Sequence, residues 1–163
     1  MPEKKTQRAA SKDKKEGKSA STQAGEYVHE EIEHVREGEH GARSAKQAIA
    51  IGLSKARRAG VKAPTSKTAS KSTKKRAAHD AAASHDHHKP STKRSRASTS
   101  ALKKEGHQAA STSALSSHAK ESAAKRSAGS RVAAAKKAAH TKGAVGRSTA
   151  AKKAAKTHAK SAS

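Results

Sequence analysis

Two groups of side chains in this sequence have the types and spacing of metal-site chemistry. His85, His87 and His88, with Asp80 and Asp86 beside them, set imidazole and carboxylate donors close together, as a nickel, copper or zinc ion would want. A structural zinc site takes four ligands held by a folded frame, and the surrounding polar segment offers none. The cluster therefore reads as a polar spacer that gains charge as pH falls toward the ordinary histidine range. His29-Glu30 followed by His34 suggests the metalloprotease pattern, which needs histidines four apart on one helix face. Here they are five apart, roughly 140° around a helix, so they read as part of a solvated acidic face. Serine is abundant, but no nucleophile elbow, glycine-rich phosphate loop or paired-carboxylate pocket accompanies it. No catalysis, cofactor or resident metal is predicted.

The third group is larger. The chain carries 37 Lys and Arg against 13 Asp and Glu, a net charge of +24, and such a polycation needs an anionic partner. The cations recur as short clusters among small residues: Lys55, Arg57 and Arg58; Lys74-Lys75-Arg76; Lys93, Arg94 and Arg96; Lys103-Lys104; Lys125-Arg126; Lys136-Lys137; and Lys152-Lys153 with Lys156. Each can settle on a phosphate and release a counterion, which makes affinity fall by about 0.9 log units per contact for each tenfold rise in salt. There is no Phe or Trp to stack on bases. Sequence-independent binding of nucleic acid, most naturally DNA, is the expectation.

The elements that would position these residues are sparse. The hydrophobic fraction of 31% is mostly alanine, whose burial offsets little of the entropy of ordering a chain. The expectation is a mostly disordered protein with one small all-α helical hairpin near the N-terminus and transient helices in the tail. Cutting after Gly60 leaves 13 basic and 9 acidic residues before it, and 24 and 4 after it, which places the boundary there. Residues 1–20 read as a basic arm, 21–60 as the hairpin and 61–163 as a low-complexity basic tail. In the hairpin, Ala24, Val28, Ile32 and Val35 fall on one helix face. Ser44 and Gln47 form a capping box, Gly60 supplies a C-terminal glycine, and Ala48, Gly52 and Ala56 leave room for a second helix. The glutamates of 26–39 oppose the basic residues of 43–58. So small a hairpin is marginal alone, and self-association through it or binding to a partner is the natural remedy. The tail repeats Ala-Ser-Thr-Ser-Ala-Leu at 97–102 and 110–115, and Ala-Ala-Lys-Lys-Ala-Ala at 134–139 and 150–155.

The stretches Ser19–Val28, Glu30–His34, Gly41–Ser44 and above all Lys46–Gly60 (Lys-Gln-Ala-Ile-Ala-Ile-Gly-Leu-Ser-Lys-Ala-Arg-Arg-Ala-Gly) resemble a family of short basic bacterial proteins of uncharacterised function, over roughly residues 1–64. That resemblance implies a small helical unit and no particular activity. The remaining residues resemble the Lys/Ala-rich tails of linker histones and bacterial histone-like proteins, which implies compaction or protection of DNA. With no cysteine, no secretory signal pattern at the N-terminus and no apolar run of membrane-spanning length, a cytoplasmic, nucleoid-associated protein without membrane contact is expected. The competing expectation is a protein-interaction or stress-related protein whose hairpin docks a partner while the tail serves solubility.

Overall fold

Serine opens the helices. Ser19, Ser44 and Ser70 each accept, through the side chain, the backbone N–H of the residue three ahead, which satisfies an otherwise orphaned first-turn donor. The computed structural model describes residues 2–66, 68–85 and 91–161. They form α1 (Lys4–Lys15), α2 (Ala20–Glu37), α3 (Ala45–Arg58), α4 (Lys71–Ala82), α5 (Thr92–Lys103), a 3-10 turn (Gln108–Ala110), α6 (Thr112–Ala124) and α7 (Ala128–Ser161).

A mostly disordered chain is therefore the wrong expectation: the described residues are predominantly helical. Alanine buries little area, but it is the best helix former, and Lys, Arg and Gln follow closely. The same small side chain also lets backbones approach. The contacts divide the chain into two units, 1–118 and 119–163.

In the first unit α2 and α3 form the hairpin. Gly52 of α3 lies so close to α2 that a Cβ there would stand 2.6 Å from Val28 Cα. The Ala48–Gly52–Ala56 stripe is thus filled by α2 of the same chain. Two small cores complete the packing. Tyr27 and Ala24 of α2 join Ala10 of α1, Ala56 of α3, and Val61 and Ala63 of the following segment. Val35 and Ala48 join Ala42 and the Ala109–Ala110 pair of the 3-10 turn. The segment assigned to a basic arm and part of the segment assigned to a tail thus supply the partners that a bare hairpin lacks.

Two of the rare acidic residues after Gly60 act as anchors. Asp80 accepts from Arg58 Nε at 2.9 Å and from Ser54 Oγ at 2.8 Å. Glu105 meets Arg43 at 3.0 Å, while Gly41 N and Ala42 N donate to Leu102 O and Gly106 O. Only glycine fits at 41, because a Cβ would overlap the carbonyl of Glu105. Arg36 Nε closes this contact by donating to Ala110 O at 2.9 Å.

The second unit has a different basis. None of its described side chains is buried, and Val132 and Val145 are exposed. Helix α7 is broken at Gly143, whose φ of 65° with ψ of 173° is a conformation only glycine adopts readily. No described helix is long and apolar enough to cross a membrane.

Candidate functional site

The expected phosphate-binding cations divide according to what the fold does with them. Lys55 is drawn between α2 and α3, its Nζ 2.6 Å from Glu31 Oε2 and 3.5 Å from Glu30 Oε1. Arg57 is buried and donates to the carbonyls of Ala63 and Pro64, which terminates α3 and fixes the chain after it. Arg58 is tied to Asp80. These three serve the fold before any ligand. Lys75 and Arg76 of α4 are exposed and border an open groove of about 520 Å³ whose wall includes Arg58, His79 and Asp80. Lys93, Arg94 and Arg96 lie exposed on α5, with Lys103 and Lys104 at its end.

In the second unit Lys125 and Arg126 sit at and just beyond the end of α6. Lys136 and Lys137 lie before the Gly143 break, and Lys152, Lys153 and Lys156 after it. Residues 152, 153 and 156 fall within about 100° of arc on a helix, so one side of that segment carries three cations. Lys74 and Lys137 also have interactions of their own.

The hairpin's glutamates do not form one solvated face. Glu30, Glu31 and His34 are buried, while His29 is exposed and faces Glu33 at 3.3 Å. Glu31 is fully buried; its Oε1 lies 3.3 Å from His40 Nε2, and neither carboxylate oxygen accepts a hydrogen bond of good geometry. His34 is flanked by Glu3 Oε1 at 3.5 Å and Glu39 Oε2 at 3.6 Å. One donor atom each from Glu31, His34 and His40 falls within 4.8 Å of the others. Sequence reasoning missed this group. The signal was Glu31-x-x-His34, an i, i+3 pair of the kind that bundle metal sites use, but His40 enters only because the left-handed Gly38 turns the chain back at the end of α2. Of the histidine cluster singled out from sequence, Asp80 belongs to the α3–α4 anchor, and Asp86, His87 and His88 lie outside the described residues.

Two further groups are perturbed. Burial, reinforced by the charge of Glu30, raises the Tyr27 phenol above its ordinary range. Hydrogen bonds to Asp13 and then Glu16 raise the exposed Lys18 ammonium.

Residues 13–67 match the model of a family described as a family of unknown function (DUF6496). No curated protein and no solved structure matches the chain. The DUF6496-like segment runs from the end of α1 through α2 and α3 and contains Glu31, His34, His40 and Lys55. The cations of α4, α5, α6 and α7 fall beyond it.

Proposed function

We propose that this protein binds nucleic acid, DNA in the first instance, without reading its sequence, and that the second unit supplies most of the contact. The observation that carries this reading is the state of residues 119–163. They hold twelve Lys and Arg against the single acid Glu121, and none of the described side chains is buried. A helical segment whose described side chains are all unburied and whose net charge is +11 is suited to deposition on a polyanion. Nine of the 34 residues of 128–161 are Lys or Arg, a density suited to tracking a phosphate backbone. Exposed Lys93, Arg94 and Arg96 of α5 extend the basic surface of the first unit. The biological consequence is compaction or protection of DNA in a nucleoid-associated, cytoplasmic setting.

The test is fluorescence anisotropy of the full chain on a mixed-sequence duplex across a salt series, repeated with a scrambled duplex. A variant carrying Gln at 136, 137, 152, 153 and 156 is measured beside it. The reading expects a steep salt slope, equal affinity for both duplexes and a slope shallower by up to about 4.5 in the variant, 0.9 per lost phosphate contact. An unchanged slope, or a preference above tenfold for one duplex, would refute it.

A second reading rests on a separate observation in the first unit. Partly buried Ile51 and Leu53 border an open groove of about 680 Å³ beside α3. If the full chain leaves DNA unshifted at physiological salt, docking of a protein partner at this groove becomes the function to pursue.

A further inference from the structure

The geometry points to a divalent transition-metal site, with zinc as the fitting ion, formed by Glu31, His34 and His40 where α2 ends. His40 Nδ1 lies 3.1 Å from the carbonyl oxygen of Gly41. A carbonyl only accepts, so Nδ1 is the donor there, and Nε2 is the nitrogen whose lone pair a metal would take. Metal-ligating histidines are held in this way, with the distal ring nitrogen donating to a carbonyl or carboxylate.

That lone pair has an unusual neighbour. Glu31 Oε1 stands 3.3 Å from His40 Nε2, yet the two are not aligned as donor and acceptor, and Oε1 accepts no hydrogen bond although Glu31 is fully buried. A buried carboxylate oxygen without a hydrogen bond and an imidazole nitrogen beside it can both face one cation. With metal–ligand bonds of about 2.0 to 2.1 Å, two ligands of a tetrahedral zinc ion stand about 3.3 to 3.4 Å apart. The observed 3.3 Å separation is compatible with that edge.

His34 supplies the third donor, one helical turn after Glu31 and within 4.8 Å of both partners. Whichever of its nitrogens turns to the metal, the other keeps a carboxylate beside it: Glu39 near Nδ1 or Glu3 near Nε2. Lys55 approaches the opposite oxygen of Glu31, at 2.6 Å from Oε2, so it leaves Oε1 to the ion and holds the carboxylate in place. Glu3, Glu30, Glu31 and Glu39 outweigh Lys55 in this neighbourhood, which makes it favourable to a cation despite the net charge of the whole chain. Three protein ligands leave a fourth position for water or for a glutamate oxygen.

The test must separate this group from His85, His87 and His88. Zinc is titrated by calorimetry into the full chain carrying Ala at 85, 87 and 88, and cobalt(II) replaces zinc for visible spectroscopy. One equivalent per chain and an intense tetrahedral cobalt spectrum are expected. His40→Ala in the same background should weaken binding at least tenfold and abolish the spectrum. Circular dichroism of each variant checks the fold, and His40→Gln replaces His40→Ala should the latter melt early. Loss of all zinc binding with the 85, 87 and 88 substitutions, or unchanged affinity in the position 40 variant, would overturn the assignment and leave Glu31 and His40 as an ordinary ion pair.

Discussion

Residues 66–118 and residues 119–163 are written in nearly the same alphabet of Ala, Ser, Thr, Lys and Arg, yet the fold treats them differently. The first stretch carries Asp80 and Glu105, each seated on an arginine of the hairpin, and the Ala109–Ala110 pair, which fills a gap against Val35 and Ala48. The second has one acid, Glu121, and none of its described side chains is buried. In a chain this basic, a single carboxylate opposite a hairpin arginine, with a pair of small residues to complete the contact, separates a segment that joins a core from one that stands as a bare helix.

Forcing α2 and α3 apart should have the largest effect. Gly52→Val places branched carbon where even a Cβ meets the α2 backbone, and it should destabilise the first unit by about 3 kcal/mol or more. Helical circular dichroism should then lose its cooperative melting phase while the contribution of α7 persists. Removing an anchor is milder. Asp80→Ala leaves Arg58 and Ser54 without their acceptor and should cost about 1 to 3 kcal/mol in chemical denaturation.

In the second unit, Gly143→Ala sharpens the contrast. Alanine resists the positive φ and gains about 1 kcal/mol of helix propensity, so α7 should become more continuous, seen as increased ellipticity at 222 nm. Melting of the first unit should not change. Glu105→Gln acts on a pair whose arginine is largely exposed, and a loss within about 1 kcal/mol is expected from the same denaturation experiment.

The pH dependence has a fixed sign. Because the folded state raises the Tyr27 phenol, it holds that proton more tightly than the unfolded chain does. The resulting stability is present below the ordinary tyrosine value of about 10 and is lost as pH rises through the higher folded value. Tyr27→Phe should reduce the alkaline fall in melting temperature; the fall that remains in the same pH range includes the raised Lys18, which acts in the same direction.

Much of the hairpin was legible. Ser44, Gln47 and Gly60 mark the ends of α3, and the Ala48–Gly52–Ala56 stripe forecasts a close helix neighbour. The folding of later segments was not legible, because its anchors are single residues whose partners lie 22 and 62 positions away. The repeated hexapeptide shows why local reading fails there. At 97–102 it lies within α5, whereas at 110–115 it crosses from the 3-10 turn into α6, with Ser111 accepting from Ala114 N. Identical residues take different structure because their long-range contacts differ. The cations were legible from composition, but their division was not: Lys55, Arg57 and Arg58 look like any other cluster until Glu31, the carbonyl of Ala63 and Asp80 are brought to them.

The first unit is held by its two small cores, whereas the described residues of the second bury no side chain, and their proposed role is to lie on an anionic surface. Amide hydrogen exchange, measured segment by segment on the full chain with and without duplex DNA, tests this difference most directly. Strong protection is expected in α2, α3 and the 102–110 contact under both conditions, with weak protection across α7 that rises when DNA is added. Equal protection of α7 and α3 in the free protein, or no change in α7 on adding DNA, would contradict this reading.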